Sequence, residues 1–212
     1  MSTRNAWGIG AVCALALGLS PAPAVAQGAV EFTPFFTSYY PIATVDDAVG
    51  GDQTIDEKQV AAPGFGARLT FWVGRSIGFE GAGSMAWSGT KFTSTNPTST
   101  PVSVSLPGYL IAASGRLLYR PARTNFYLLI GGGIVSHGGD TWNFSGITGK
   151  TDPAAVVGFG ARASVTPKIA LTVNVESYLY AFDPDGTGTE YESKLQPDIY
   201  VSIGVPISFG RR

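Results

Sequence analysis

Asp198-Ile199-Tyr200-Val201-Ser202-Ile203-Gly204-Val205-Pro206-Ile207-Ser208-Phe209 is the stretch that decides the fold. Its odd positions read Ile, Val, Ile, Val, Ile, Phe, and its even positions Asp, Tyr, Ser, Gly, Pro, Ser. A period of two is the mark of a strand with one apolar and one polar face. A strand this regular requires pairing on both edges, because unpaired backbone groups are costly.

Seven earlier segments carry the same alternation. Val30, Phe32, Pro34, Phe36 and Tyr40 share one face, opposite Glu31, Thr33, Thr37 and Tyr39. Phe65, Ala67, Leu69, Phe71 and Val73 oppose Arg68, Thr70 and Trp72. Ile77, Phe79, Met85 and Trp87 oppose Glu80, Ser84 and Ala86. Tyr109, Ile111, Leu117 and Tyr119 oppose Ser114, Arg116 and Arg120. Phe126, Leu128, Ile130 and Ile134 oppose Tyr127, Gly131, Gly133 and His137. Val157, Phe159 and Val165 oppose Gly158, Gly160 and Arg162, while Val173, Val175 and Leu179 oppose Asn174, Glu176, Tyr178 and Tyr180. The connections alternate in length. Short turns lie at 74–75, 121–124 and 167–168, and long polar loops at 41–60, 88–103, 138–153 and 181–196. The pattern predicts an all-β, eight-stranded antiparallel up-and-down barrel with one plain and one elaborated end. Val102, Val104 and Leu106 alternate out of phase with Tyr109, and a bulge at Pro107-Gly108 is expected to repair this.

A soluble barrel would show the same alternation with its faces exchanged. Three features place the apolar face outside, against lipid. The polar face is mainly Gly, Ser, Thr and Ala, and all five lysines (Lys58, Lys91, Lys150, Lys168, Lys194) fall in loops or turns. A surface bathed in water carries far more charge. Aromatic residues cluster toward the ends of the apolar face: Tyr40, Trp87 and Tyr109 at the long-loop end, and Phe71, Phe79, Tyr119, Phe126 and Phe209 at the short-turn end. Two such girdles flank the lipid-facing band of transmembrane barrels. Small polar-face residues also suit a lumen that is only wide enough to be filled by side chains. Gly81 and Gly83 face lipid in this reading, and a neighbouring aromatic ring is expected to cover them.

Composition and targeting agree. Charged residues make up only 14% of the 212, and the net charge is −1, which excludes a nucleic-acid partner. Residues 1–26 read as a signal peptide: Arg4 precedes a short apolar run, and Ala24-Val25-Ala26 is a small-x-small cleavage site. The single cysteine, Cys13, lies in that segment, so residues 27–212 form a cysteine-free barrel domain. No later apolar run approaches the roughly 20 residues of a membrane helix. The long loops hold Asp46, Asp47, Asp52, Asp56, Glu57, Asp140, Asp152, Asp183, Asp185, Glu190 and Glu192 against Lys58, Lys91, Lys150 and Lys194. The turns and tail hold Arg75, Arg123, Lys168, Arg211 and Arg212 without an acid. The acidic end is expected outside the cell.

With a signal peptide, eight strands, short-long alternation, Glu31-Phe32-Thr33-Pro34-Phe35 opening the first strand and Gly131-Gly132-Gly133 in the fifth, the chain resembles the outer membrane β-barrel domain family. That family includes the small barrels of the outer membrane protein A and X types. The resemblance implies residence in a Gram-negative outer membrane and contact with its lipid and lipopolysaccharide. It also implies recognition by the outer-membrane assembly machinery through a terminal aromatic residue. Here Gly210-Arg211-Arg212 follow Phe209.

Four constellations carry the candidate chemistry. Glu31, Arg68, Glu80, Arg116, Arg162 and Glu176 form an interior set of three cations and three anions, with Glu80 and Arg116 level on neighbouring strands. They read as a salt-bridged plug, or alternatively as the gate of a narrow ion path. His137 is the only histidine; with Ser136 and Asp140 it invites comparison with lipid A-modifying hydrolases and acyltransferases of this fold. Adjacent strand residues point to opposite faces, so Ser136 and His137 do not make a nucleophile–base pair. Pro34 and Pro206 fall on the two closing strands and cannot donate to the ladder. The acidic loops have the oxygen-donor chemistry for weak divalent cation binding, yet the spacing from Asp183 puts Lys194 at the twelfth position, where a calcium loop needs Glu. No metal or cofactor site is expected. The expected role is non-enzymatic: a structural or surface-interaction barrel working through four long extracellular loops. A narrow channel or carrier for small solutes is the alternative, and a lipid-modifying enzyme the less favoured one.

Overall fold

In the computed structural model the described residues are 30–42, 46–50, 53–95, 102–121, 124–140, 151–166, 169–182 and 194–209. The signal segment and Cys13 lie outside them, as do the tail after Phe209 and most of the acidic loop residues. The described residues form thirteen strands: β1 (Val30–Pro41), β2 (Asp46–Gly50), β3 (Gln53–Gln59), β4 (Ala62–Val73), β5 (Ile77–Ala86), β6 (Thr90–Thr95), β7 (Val102–Leu106), β8 (Tyr109–Tyr119), β9 (Phe126–Gly138), β10 (Thr151–Ser164), β11 (Ala170–Phe182), β12 (Lys194–Gly204) and β13 (Ile207–Phe209). Among the described residues no helix is long and apolar enough to cross a membrane.

The barrel has eight staves. Seven are β1, β4, β5, β8, β9, β10 and β11, and the eighth is β12 continued by β13. All neighbours are antiparallel, and β1 closes the ring against β12 and β13. The seam keeps one register across its two prolines: Phe35 faces Gly204 on one side, and Phe32 faces Ile207 on the other. Between them, Val205 N donates to Pro34 O at 3.2 Å. The prolines split the last stave into two strands, and the seam remains paired. At the β4–β5 turn Gly74 has φ 73°, a conformation that favours glycine.

Three loop expectations require correction. The stretches 41–60 and 88–103 contain the strands β2, β3, β6 and β7, which form a second sheet in the order β2-β3-β6-β7. Val60 N bonds to Gly89 O at 3.0 Å where this sheet joins the β4–β5 ladder. Gln53–Gln59 reads Gln-Thr-Ile-Asp-Glu-Lys-Gln, polar on both faces, so no apolar alternation marks it. Pro107-Gly108 is not a bulge within one strand: it separates β7 in the second sheet from β8 in the barrel. The stretch 138–153 is shorter than expected, because β10 begins at Thr151 and carries Asp152 into the lumen.

The outer face is apolar and exposed, with Phe36 at 75% and Ile130 at 61%. The inner face is packed. Tyr39, Leu110, Val135, Val156, Tyr178 and Tyr180 are essentially inaccessible. Gly131 shows how close the packing is: a Cβ there would lie 2.1 Å from the carbonyl oxygen of Gly115. On the outer face Gly81 and Gly83 have nothing within 4 Å of a built Cβ, so no aromatic ring covers them.

Candidate functional site: the charged lumen and its two ends

Alternation along β4, β5, β8 and β11 delivers Arg68, Glu80, Arg116 and Glu176 to the middle of the lumen, all buried. Glu80 and Arg116 face each other in the β5–β8 register, and their side chains meet at 3.3 Å. Glu176 reaches across from β11 and accepts from two guanidinium groups, Arg68 Nη2 at 2.7 Å and Arg116 Nη2 at 2.8 Å. Arg68 Nε lies 3.8 Å from Glu80, so the four charges form a closed cycle. Hydroxyl groups satisfy further donors and acceptors. Arg68 donates to Ser202 at 2.6 Å, Arg116 to Ser114 at 2.7 Å and to Tyr178 at 2.8 Å, and Thr70 to Glu80 at 2.7 Å. Arg68 also stacks 3.8 Å over the Phe35 ring. Buried charges are tolerated only when paired and hydrogen-bonded in this way.

Glu31 and Arg162, the remaining two of the six charges expected from the sequence, form a separate pair nearer the short-turn end. Arg162 Nη1 bonds to both carboxylate oxygens of Glu31, at 2.6 and 2.7 Å. Glu31 also accepts from Trp72 Nε1 at 3.1 Å and Ser208 Oγ at 3.0 Å. Arg120, a polar-face residue of β8's end, lies over the Trp72 ring at 4.1 Å. A cavity of about 20 Å³ opens among Glu31, Trp72, Arg120, Tyr127, Arg162 and their neighbours. That is room for about one water.

The long-loop end of the lumen holds a tyrosine layer. Tyr180 OH donates to Asp198 Oδ2 at 2.7 Å and lies 3.3 Å from His137 Nε2. Tyr39 is hydrogen-bonded to Gln59. Tyr200 packs between the rings of Tyr39 and Tyr178, with centroids 5.2 and 5.1 Å away. His137 is therefore buried in the lumen. Ser136 lies on the opposite face and pairs with Thr151 Oγ1 at 3.0 Å, and Asp140 is exposed. The three do not converge. Asp152, counted from the sequence among the outer loop acids, is buried here as well. Its phase was readable: Asp152, Ala154 and Val156 continue Gly158, Gly160 and Arg162 back toward the loop.

The eight girdle aromatics all lie on the outer face, from Tyr109 at 39% exposure to Trp87 and Phe209 at 56%; Phe65 packs against Trp87 with centroids 5.4 Å apart. Among the described residues no group of three or more His, Cys, Asp or Glu is placed to hold a metal ion. The side chains of Asp46, Asp47, Asp52, Asp56, Glu57, Asp183, Asp185, Glu190 and Glu192 lie outside the described residues.

A closed eight-stranded barrel with an apolar belt outside and paired charges inside is a membrane-spanning barrel, and its fold is that of the small outer-membrane barrels. The outer membrane protein OprG from Pseudomonas aeruginosa superposes with a TM-score of 0.58 at 13% identity, over 87% of this chain and 97% of that one. Ail, the attachment invasion locus protein of Yersinia pestis, gives 0.49 at 12% identity, over 87% and 100%. The likeness is one of fold. No protein-family model matches the chain, and no curated protein matches it.

Proposed function

We propose that this is a non-enzymatic outer-membrane barrel whose work is done at its long-loop end, as a structural or surface-interaction protein. The observation that carries this reading is the filled lumen. The Arg68–Glu80–Arg116–Glu176 cycle and the tyrosine layer above it are buried and in mutual contact, leaving no through-path for a solute among the described residues. Meanwhile the chain invests four extra strands in a second sheet beyond the barrel. Lipid contacts the aromatic belt, lipopolysaccharide meets the outer girdle and loops, and the assembly machinery reads the strand ending in Phe209. The acidic loops supply weak divalent sites that bridge to lipopolysaccharide phosphates. Nucleic acid is not a partner.

Two measurements test this. In planar bilayers the refolded barrel is expected to give no stepwise openings; a stable unit conductance would establish the channel reading instead. In intact cells an impermeant amine reagent is expected to label the exposed Lys58 and Lys91. Labelling confined to Lys168, which falls between β10 and β11 in the sequence, would invert the orientation and remove the surface role.

A further inference from the structure

Arg120 stands apart from the other interior arginines. Arg68, Arg116 and Arg162 each bond to a carboxylate within 3.3 Å. Arg120 makes no ion pair and no side-chain hydrogen bond among the described residues. Its guanidinium stacks on Trp72, at 4.1 Å. Stacking occupies the face of a guanidinium and leaves its five N–H donors, which lie in the plane, unfilled. The group is half-buried and lines the cavity at the short-turn end. Its nearest charged neighbours are Arg162 and Glu31, and Arg68 and Glu80 of the central cycle, already paired with each other and with Glu176 and Arg116, line the same cavity. Glu31 is already neutralised by Arg162 and further occupied by Trp72 and Ser208. Among the described residues the mouth therefore carries one positive charge without a carboxylate partner, on a flat aromatic floor, beside a space for about one water. The adjoining β4–β5 turn adds the exposed Arg75 and no acid.

We propose that the short-turn mouth of the lumen is an anion site, in which Arg120, backed by Trp72 and Arg162, receives one oxyanion group through its in-plane donors. The cavity has room for about one water, so it takes one oxygen of the anion, and the rest of the ligand remains outside the barrel. Two sources share this chemistry: a small free anion in the aqueous compartment at that end, and the phosphate of a lipid headgroup reaching in from the membrane rim.

The reporter is the Trp72 indole N–H, which bonds to Glu31 at 3.1 Å on the edge of the site. Its nitrogen–proton resonance is identified by its absence in Trp72→Phe. The processed protein is refolded in maltoside micelles and titrated with inorganic phosphate against chloride at constant ionic strength. The same resonance is then followed in micelles doped with phosphatidylglycerol. A saturable shift with phosphate assigns the site to free anions, and a shift only in doped micelles assigns it to headgroups. Arg120→Gln is expected to weaken either response about tenfold, the worth of one charge-assisted fork. Arg75→Gln, in the exposed turn, is expected to leave it unchanged. If Arg120→Gln does not fold, Arg120→Lys retains the charge without the planar fork and is expected to fold and bind several-fold more weakly. No saturable shift in either arm, or equal affinity in the Arg120 variants, overturns the proposal.

Discussion

Replacing Glu176 by Gln is the most direct test of how the lumen is held together. The substitution keeps the shape and one acceptor oxygen but removes the charge that neutralises Arg68 at 2.7 Å and Arg116 at 2.8 Å. Glu80 then serves two guanidinium groups alone, from 3.8 and 3.3 Å, and the new amide points N–H at a cation. Stripping one partner from a buried ion pair costs about 3–5 kcal/mol. Against a typical total of about 5–15 kcal/mol this is a large fraction. With a urea slope of about 2 kcal/mol per molar, the midpoint falls by about 2 M. The assay is urea unfolding of the barrel in lipid vesicles, followed by tryptophan emission and by heat-modifiable gel migration. Adding Arg116→Met to Glu176→Gln restores the charge balance around Arg68 and Glu80. The double variant is expected to lose at least about 1 kcal/mol less than the sum of the singles, because the two residues are in contact. A loss under about 1 kcal/mol for Glu176→Gln, or strict additivity, would show that the lumen is wet enough to screen these charges, and the filled-lumen reading would be lost with it.

Two further outcomes follow from the packing. Gly131→Ala, which drives a Cβ to within 2.1 Å of Gly115 O, is expected to lower stability by about 1–3 kcal/mol, whereas Gly81→Ala, with open space around it, stays within about 0.5 kcal/mol of the parent in the same urea assay. Tyr180→Phe removes the donor to Asp198 and the contact with His137, leaving a buried carboxylate short of a partner; a loss of about 1–3 kcal/mol is expected, and no loss would mean that water replaces the hydroxyl.

The staves were readable in the sequence because each one separates lipid from lumen, and that boundary writes a period of two. It reaches even to Glu80 and Arg116, which sit level on neighbouring staves and do pair. What the sequence concealed follows from the same rule. The second sheet has no such boundary to respect, so Gln53–Gln59 is polar on both faces and reads as loop. Glu176 meets Arg68 and Arg116 across the lumen rather than along a register row, and only the barrel's shear and width determine which opposite staves touch. Asp152 goes to the loop if composition alone is weighed, since Gly and Thr crowd the residues before it, whereas the strand phase running back from Arg162 through Ala154 puts it on the inner face.

The charges in the lumen are themselves a consequence of membrane residence. Along every stave of a transmembrane barrel lumen-facing residues alternate with lipid-facing ones, and only the outer row meets lipid. The inner face is therefore free to be polar, and in a ring of only eight staves polar side chains from opposite walls come within bonding distance. Charges placed there have to be paired. The Arg68–Glu80–Arg116–Glu176 cycle and the Arg162–Glu31 pair fulfil that requirement and so say little about transport or catalysis. A departure from the requirement says more. Arg120 is on the same inner face, stacked on Trp72, with its N–H donors unfilled at an open mouth. Pairing it internally would have required only one more acid among the residues around it. Among the described arginines of the lumen Arg120 alone lacks a carboxylate partner, and that is the ground of the anion site proposed for it.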